Sequence, residues 1–484
     1  MPHAAAGEIT AKVDLIQNFR AEADYMCAIS LRMGTYASRN KGSIRFALYE
    51  TDEAGAAKSL IPLWDHSEVA GRIEDNQLHT FYFDAVVHSA HQHYSLRLFA
   101  PEVAVGEGLT VWLDDGAERI AGHAFCFVGG KLQGDHGVLG AVHYANPVSE
   151  HPIPPFLLYS PVTQCNLNCI HCISRETRKT VHRLPPEIKQ RIQAWCRRGL
   201  IQRIATDYSG DILWADARFG GELDFLIGLG VPFHIDTNGS HLTEAAATRL
   251  CASSILSLNI SLDAARPETY KRIRVGAPPL SKVIENIRGA IRVRDATAQS
   301  RFSITISLTL MKSTFNEWCD FISLGKNLGV DLIQARFLEA YTDDLEPESP
   351  WLHKEAYNAA RARALDHAAR IGAPVAMDGP LEEFENSPGH KVCTMPWESA
   401  AILGNGDVAV CCVPRTKIGN MLEQDMEAIW NGPRYRAFRQ QINSPNPPAQ
   451  CAACPMFRKK NNPESFLQHR TMKAWATPYA SLAG

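Results

Sequence analysis

The residues best suited to chemistry are three cysteines in one short segment, Cys165, Cys169 and Cys172, with the spacing C-x3-C-x2-C. The segment follows an apolar run, Phe156–Tyr159, whose pattern predicts a buried strand. Three thiolates at this spacing fit three irons of a [4Fe–4S] cluster and leave the fourth iron without a protein ligand. A small molecule can be activated at that open iron.

Zinc is the alternative metal for these three thiolates. A structural zinc site takes four ligands in a closed tetrahedron. His171 adjoins Cys172 and is therefore poorly placed to supply the fourth ligand. The spacing after a strand favours an iron–sulfur cluster, with zinc or a chance grouping of cysteines as the alternatives.

The cysteine motif at the end of a first strand resembles the signature of the radical S-adenosylmethionine (radical SAM) superfamily. This resemblance implies that the open iron chelates the amino and carboxylate groups of S-adenosylmethionine (SAM), and that the reduced cluster cleaves the cofactor. The implied product is a 5′-deoxyadenosyl radical, which abstracts a substrate hydrogen. The resemblance also implies a flavodoxin- or ferredoxin-type electron donor.

Length and composition are those of an ordinary globular protein. The chain has 484 residues, 45% hydrophobic and 21% charged, which is enough for about three domains. A net charge of −3 gives no electrostatic basis for binding nucleic acid or an anionic membrane. The sequence has no apolar run near the ~18 residues of a membrane span and no signal-peptide pattern at its start. We therefore expect a cytoplasmic protein whose cysteines are metal ligands and packing residues rather than disulfides.

Residues 1–145 are predicted to form an all-β sandwich, because short runs of alternating polarity are separated by turn residues. The clearest runs are Ala28–Met33, Ser43–Tyr49, His79–Asp84 and Tyr94–Phe99. The region resembles the jelly-roll-like accessory modules of glycan-assembly enzymes, and a packing or oligomerisation domain without a ligand is the alternative. Three tyrosines are candidates for a sugar site or for core packing: Tyr36, Tyr82 and Tyr94.

After a proline-rich linker at 146–155, residues 156–372 alternate strand and helix patterns at intervals of about 30 residues, which indicates βαβ units and a parallel sheet. Six strands are predicted: Phe156–Ser160, Ile201–Tyr208, Val231–Asp236, Ile255–Leu262, Phe302–Leu310 and Val330–Phe337. The predicted helices include Pro185–Arg198, Thr243–Cys251, Leu280–Val293, Thr314–Leu328 and Trp351–Ile371. The fold class is therefore α/β, a partial (β/α)6 barrel with its chemistry at the carboxyl ends of the strands.

The resemblance implies five SAM-binding candidates at or after these strand ends: Asp211, Asn238, Ser261, Asp263 and Arg336. Asp211 stands in Ser209-Gly210-Asp211, where the family usually carries Gly-Gly-Glu to hold the amino group; a turn aspartate is the alternative. Asn238 and Ser261 lie in segments that resemble those lining the methionine and ribose moieties, with a glycine turn and a strand cap as alternatives. Asp263 could instead face the substrate. Arg336 could hold the cofactor carboxylate or pair with a neighbouring acid.

Residues 373–484 contain a second set of cysteines. Cys393, Cys411, Cys451 and Cys454 are four thiolates that can close a metal site completely. The region, with a hairpin predicted at Asn405-Gly406 and a helix at Leu422–Ile442, resembles the SPASM/twitch extension of radical SAM enzymes. No cysteine follows Cys454, which favours the shorter twitch form with one auxiliary [4Fe–4S] cluster; zinc is the alternative. Cys411 is favoured over Cys412 because neighbours on a strand point to opposite faces.

An auxiliary cluster without an open iron would pass electrons. This arrangement resembles the dehydrogenase that acts on an aminocyclitol alcohol, and it favours oxidation or rearrangement of a sugar-like or other small-molecule substrate. A peptide (RiPP) maturase is one alternative. A redox-neutral sugar epimerase is another, with Cys412 or Cys319 as the hydrogen-donating thiol. A non-catalytic iron–sulfur scaffold is the alternative from a different class.

Overall fold

The computed structural model describes residues 3–36, 42–174, 181–206, 209–297, 302–381, 392–411, 416–452, 454 and 466–467. Within these residues the chain forms two six-stranded antiparallel sheets and one ten-stranded, mostly parallel sheet. None of the helices in these ranges combines the length and apolar content that a membrane span requires.

The N-terminal strands form a β-sandwich, as predicted. One sheet has the order β1-β8-β3-β12, with β6 on β3 and β11 on β8; the other has the order β10-β9-β2-β7-β4-β5. Phe46 of β4 stacks on Phe81 of β6 across the two sheets, with 4.5 Å between ring centroids. The strands are β1 His3–Ala5, β2 Leu15–Arg20, β3 Met26–Gly34, β4 Ser43–Thr51, β5 Trp64–Val69, β6 Gln77–Val86, β7 His93–Phe99, β8 Thr110–Asp114, β9 His123–Val128, β10 Lys131–Leu132, β11 Gly137–Val138 and β12 Gly140–Tyr144.

The three candidate tyrosines of the sandwich have different surroundings. Tyr94 is buried beside Phe19 and is a core residue. Tyr82 is half-buried and packs where the sandwich meets Trp397 of the C-terminal region. Tyr36 is exposed. The three tyrosines therefore lie in three different environments.

The remaining elements form the α/β part of the chain. Its strands are β13 Phe156–Tyr159, β14 Arg203–Thr206, β15 Phe233–Thr237, β16 Ile255–Ser261, β17 Ser303–Leu310, β18 Leu332–Phe337, β19 Val375–Met377, β20 Ser399–Ile402, β21 Asp407–Ala409 and β22 Lys417–Asn420. Its helices are α1 Pro186–Arg197, α2 Ile212–Phe219, α3 Glu222–Gly228, α4 Glu244–Cys251, α5 Pro267–Ile273, α6 Leu280–Ala296, α7 Trp318–Leu328, α8 Lys354–Ile371, α9 Met395–Glu398, α10 Met426–Trp430, α11 Pro433–Ile442 and α12 Ala449–Ala452. Short 3₁₀ helices lie at Ala70–Arg72, Lys312–Glu317, Asp343–Glu348 and Pro350–His353.

The large sheet has the order β19-β18-β17-β16-β15-β14-β13-β20-β21-β22, so the predicted six-stranded sheet is extended at both edges. β20 pairs in parallel with β13, and β20 to β22 continue as an antiparallel meander that includes the predicted Asn-Gly hairpin. The C-terminal region therefore shares a sheet with the barrel because backbone pairing carries on across β13. This continuity is not visible in the local pattern.

The two faces of β15 to β18 differ in polarity. One face carries aliphatic residues such as Leu258, Ile306 and Ile333, which join the large buried core with the helices. Residues directly paired across neighbouring strands share a face, and alternate residues along a strand return to it. By this rule the other face, called the polar face below, carries two apolar residues near its amino-terminal end, Ile255 and Leu332, and otherwise polar ones: His234, Asp236, Ser257, Asn259, Ser261, Ser303, Thr305, Ser307, Thr309, Gln334 and Arg336.

The prediction of one continuous helix over Leu422–Ile442 is wrong. The structure has two helices there, α10 and α11, separated at Asn431-Gly432. Pro433 begins α11, and since proline has no backbone N–H it cannot continue the hydrogen bonding of α10. Residues Leu422–Asp425 precede α10 and are not helical.

The linker is fixed to the C-terminal region by side chains. Trp397 Nε1 donates to the carbonyl of Asn146 at 2.6 Å, and Arg439 Nη1 donates to the carbonyl of Pro147 at 3.1 Å. Arg439 is fully buried and its Nε also donates to the carbonyl of Pro396 at 2.8 Å. These bonds hold the segment between the sandwich and β13 in place.

Candidate functional site

The three cysteines of the first motif line one cavity of about 310 Å³ at the carboxyl ends of the parallel strands. The position agrees with the rule that chemistry in such sheets lies where the strands end. The other residues that line the cavity are His171, Ile173, Gly210, Asp211, Asp236, Thr237, Asn238, Ser261, Arg274 and Tyr341.

The cysteine loop is docked on the segment that follows α5. The backbone N–H of Asn168 donates to the carbonyl of Val275 at 2.7 Å, and that of Ile170 donates to the carbonyl of Ile273 at 3.1 Å. Gly276 has φ +88, and a side chain there would meet the backbone oxygen of Asn166 at 3.3 Å. The positive φ and the close approach of the two segments together favour glycine at this position.

Asn238 contacts the loop directly. Its Nδ2 donates to Cys165 Sγ at 3.5 Å and to Asn166 Oδ1 at 3.0 Å. Its own backbone N–H donates to Asp211 Oδ2 at 2.8 Å. Asp211 Oδ1 also accepts from the backbone N–H of Trp214 at 2.9 Å and so caps α2. These bonds connect the end of β15 to the start of α2 beside the thiols.

The five residues predicted to bind SAM fall into two groups. Asp211, Asn238 and Ser261 line the cavity together with the three cysteines. Asp263 and Arg336 are not among the residues that line it. Arg336 ends the polar face of β18 and is exposed. Contacts of all five residues with SAM remain predictions.

Asp263 lies in a buried ionic cluster behind the cysteine loop. Its Oδ2 is 2.7 Å from Arg274 Nη2 and 3.3 Å from His171 Nε2. Burial alone would raise the pKa of Asp263, but the positive charge of Arg274, with His171 and the bonds from Thr309, holds it below the usual value. Arg274 Nη1 donates in turn to Cys169 Sγ at 3.3 Å. Burial raises the pKa of the Cys169 thiol, and Arg274 opposes that rise.

Glu339 and Tyr341 form a pair just beyond β18. The Tyr341 hydroxyl donates to Glu339 Oε2, and Tyr341 reaches the cavity wall. Burial raises the pKa of Glu339 to about 7, against the lowering effects of Tyr341 and Arg336. A carboxyl group with a pKa near neutrality can both accept and release a proton at physiological pH.

Three cysteines of the second set, Cys393, Cys451 and Cys454, lie near one another in the C-terminal region. Burial raises the pKa of Cys451 well above its usual value, and the nearby Cys393 and Cys454 raise it further. Asn443 holds Cys393 by two backbone contacts, donating to its carbonyl and accepting from its N–H, both at 2.9 Å. Burial raises the pKa of the Tyr435 phenol well above its usual value; Arg439 opposes this rise, and the nearby Cys411 adds to it. Cys412 lies outside the described residues.

Both sets of cysteines fit iron–sulfur clusters. Burial makes closely spaced thiols costly to ionise, and bound iron supplies positive charge that stabilises their thiolate forms. In a cluster each thiolate binds a different iron, whereas in a structural zinc site all four ligands bind one ion.

Four residues of the two sites were missed by the sequence argument: Arg274, Tyr341, Glu339 and Asn443. Glu339 had a signal, because it follows the sixth strand of a barrel whose strand ends carry the chemistry. Arg274 and Asn443 contact cysteines that are far away in the sequence, and no sequence signal pointed to either residue.

Comparison with family models assigns two regions of the chain. The model of the radical SAM superfamily matches residues 159–322, which contain the first cysteine motif. The model of the SPASM iron–sulfur cluster-binding domain matches residues 393–455, which contain the second set of cysteines.

Individual relatives are distant. The AdoMet-dependent heme synthase of Methanosarcina barkeri is 22% identical over 323 residues, covering 62% of this chain and 88% of that protein. The mycofactocin maturase MftC of Mycolicibacterium smegmatis is 22% identical over 321 residues, covering 63% of this chain and 76% of that protein. Among solved structures, Streptococcus suis SuiB bound to S-adenosylmethionine is 16% identical, with coverage of 60% and 68% and a TM-score of 0.46.

The domain matches and the grouping of the cysteines agree. The first domain implies a [4Fe–4S] cluster with SAM, and the second implies auxiliary iron–sulfur binding. The chain therefore contains a radical SAM domain followed by a C-terminal SPASM-type domain, the combination found in radical SAM enzymes.

Proposed function

We propose that this enzyme oxidises a hydroxyl-bearing, sugar-like small molecule. When bound, SAM with its cluster supplies a 5′-deoxyadenosyl radical, and one auxiliary [4Fe–4S] cluster supplies an acceptor for a single electron. The substrate would lie over the polar face, next to the cavity that the three cysteines line. A flavodoxin- or ferredoxin-type protein would provide the reducing electron.

The polar face is the observation that carries this proposal. Cross-strand hydrogen bonds already order part of it: Asn259 Nδ2 donates to Asp236 Oδ1 at 2.7 Å, and His234 Nδ1 lies 2.6 Å from Ser257 Oγ. Hydroxyl and amide groups of β16 to β18 extend the row towards Arg336. Such a surface has the donors and acceptors that a polyhydroxylated ligand needs, and burying it under an apolar ligand would cost free energy.

The Glu339–Tyr341 pair is the candidate proton acceptor. Removal of hydrogen from a CH–OH carbon leaves a carbon radical that still carries its hydroxyl proton. Transfer of this proton to the Glu339 carboxylate, together with loss of one electron, completes the carbonyl group. Tyr341 extends from Glu339 to the cavity wall and so supports a proton path between them.

Redox-neutral epimerisation would need a hydrogen-donating thiol at the substrate instead. Cys319 lies on α7, whose buried residues pack on the apolar side of the sheet, and it does not line the cavity. Among the cysteines that the structure describes, those lining the cavity belong to the first metal motif. This placement argues against Cys319 as the hydrogen donor. Cys412, the other candidate thiol, lies outside the described residues, and its role is tested by Cys412→Ala: a deuterated isomer lost in that variant would support epimerisation.

Peptide maturation is the second candidate. It is favoured by the similarity to a mycofactocin maturase over 63% of the chain. A peptide would have to occupy the same polar face, so the two candidates predict different substrates for one site.

The test uses the reconstituted, reduced protein in deuterated water. Release of 5′-deoxyadenosine is measured with a panel of monosaccharides, cyclitols and nucleotide-linked sugars, and separately with synthetic peptides. We expect stimulation by a member of the sugar panel and a product that is two hydrogens lighter, without deuterium fixed at carbon. Stimulation by peptides alone would overturn the substrate class, and a deuterated isomer of unchanged oxidation level would overturn oxidation.

The Cys454→Ala variant tests the electron acceptor. Without this ligand, hydrogen abstraction should persist while the oxidised product disappears, because the substrate radical has no acceptor for its electron. Cys319→Ala is the matched control and should match the unmodified protein in both measurements. Undiminished product from Cys454→Ala would contradict the role given to the auxiliary cluster.

A further inference from the structure

A buried arginine contacts a cysteine of the first motif. Arg274 Nη1 donates to Cys169 Sγ at 3.3 Å, and only 6% of Arg274 is exposed. The residue follows α5, whose end also receives the backbone hydrogen bonds of the cysteine loop. A positive charge is therefore fixed against one thiolate rather than free to move in solvent.

Asp263 supplies the counter-charge. Its Oδ2 is 2.7 Å from Arg274 Nη2, and the residue is 1% exposed. The backbone N–H of Thr309 donates to its Oδ1 at 2.8 Å. A buried arginine without such a partner would cost several kcal/mol, so the aspartate is a condition for the arginine's position.

The backbone at Asp263 is also specialised for this contact. Asp263 has φ +62, in the left-handed region that most side chains avoid. This conformation turns the chain directly after β16, so Asp263 leaves the cavity wall that Ser261 still lines. His171, from the cysteine loop itself, lies 3.3 Å from the same carboxylate.

We propose that Arg274 is a positioning residue for the first iron–sulfur cluster: it fixes the Cys169 thiolate and stabilises the reduced cluster, while Asp263 holds the guanidinium in place. This inference rests on the radical SAM assignment and is independent of the proposed substrate. It gives Asp263 a different role from the cofactor contact that the resemblance implies.

The two charges of the pair act on the cluster with opposite sign. Reduction adds an electron, so a nearby cation favours the reduced state and a nearby anion disfavours it. Arg274 contacts the Cys169 sulfur directly, whereas Asp263 lies behind Arg274 and His171, so the charge of Arg274 is the nearer one and dominates. Loss of the cation should lower the reduction potential, and loss of the anion should raise it. Simple loosening of the loop would not give opposite shifts.

The experiment is an anaerobic redox titration followed by electron paramagnetic resonance. The cluster with the open iron is recognised by the change in its spectrum when SAM is added. We expect a more negative midpoint potential for Arg274→Gln and a more positive one for Asp263→Asn. Asparagine retains the acceptor for Thr309 and tolerates the left-handed backbone. Arg272→Gln, exposed on α5, is the matched control and should leave the potential unchanged.

Shifts of the same sign in Arg274→Gln and Asp263→Asn, or no shift in Arg274→Gln, would overturn the proposal. Arg274→Lys keeps the charge and should give a potential between those of Arg274→Gln and the unmodified protein. If Arg274→Gln fails to retain iron, the test rests on Asp263→Asn. A midpoint potential of Asp263→Asn no higher than that of the unmodified protein would then overturn the proposal.

Discussion

Replacing Glu339 by glutamine should remove the pH dependence that this carboxyl group gives to the reaction. Burial raises its pKa to about 7. At that value about nine tenths of the group is protonated at pH 6 and about one tenth at pH 8. If the carboxylate accepts the substrate proton, the rate of product formation should rise about tenfold between these pH values. In Glu339→Gln the rate should be low and almost independent of pH over the same interval.

The neighbours of Glu339 predict the direction of further shifts. Tyr341 and Arg336 lower its pKa, and Asp378 raises it. A hydrogen bond to a charged group contributes about 1.5–3 kcal/mol, which corresponds to about one to two pKa units. Tyr341→Phe should therefore move the rise in rate to higher pH by about that amount. Asp378→Asn should move it to lower pH.

Two measurements check this prediction. Difference infrared spectroscopy of the unmodified protein against Glu339→Gln reports the protonated carboxyl band without any substrate, and the rate of product formation is then followed against pH. Asp366→Asn, an exposed carboxylate on α8 paired only with Arg370 in the described contacts, is the control and should change neither result. A carboxyl band that titrates near pH 4, or a Glu339→Gln rate that still rises tenfold, would refute the reasoning.

Two further predictions concern the clusters and the domain contacts. Reconstituted protein should hold about eight irons in two four-iron clusters, and alanine at Cys165, Cys169 and Cys172 together should leave about four; zinc at the second site, or loss of all iron in the triple variant, would contradict the two-cluster assignment. Arg439→Met should lower the free energy of unfolding by about 3 kcal/mol, because the buried guanidinium lies 4.4 Å from the Trp430 ring and its loss leaves buried carbonyl groups unpaired. Denaturant titration should show this loss, and the exposed Arg436→Met on the same helix should lie within about 0.5 kcal/mol of the unmodified protein.

Features that depend on short segments of the chain could be predicted without the structure. The spacing of Cys165, Cys169 and Cys172 places three thiols in one loop whatever the rest of the chain does. The alternation of strands and helices follows from polarity patterns within single segments, and all six predicted barrel strands are present in the sheet. The Asn405-Gly406 hairpin is local for the same reason, since Gly406 adopts a positive φ between two short strands.

Which distant residues contact the thiols depends on the folded chain and could not be predicted from local patterns. Arg274 and Cys169 are 105 positions apart, and no periodicity connects them. Asp263 and Ser261 are two positions apart yet have different surroundings. Ser261 lines the cavity, whereas Asp263 does not, because the backbone turns at the positive φ of Asp263. The polar face likewise depends on the pairing register of four parallel strands, and that register is set by contacts between segments rather than within any one of them.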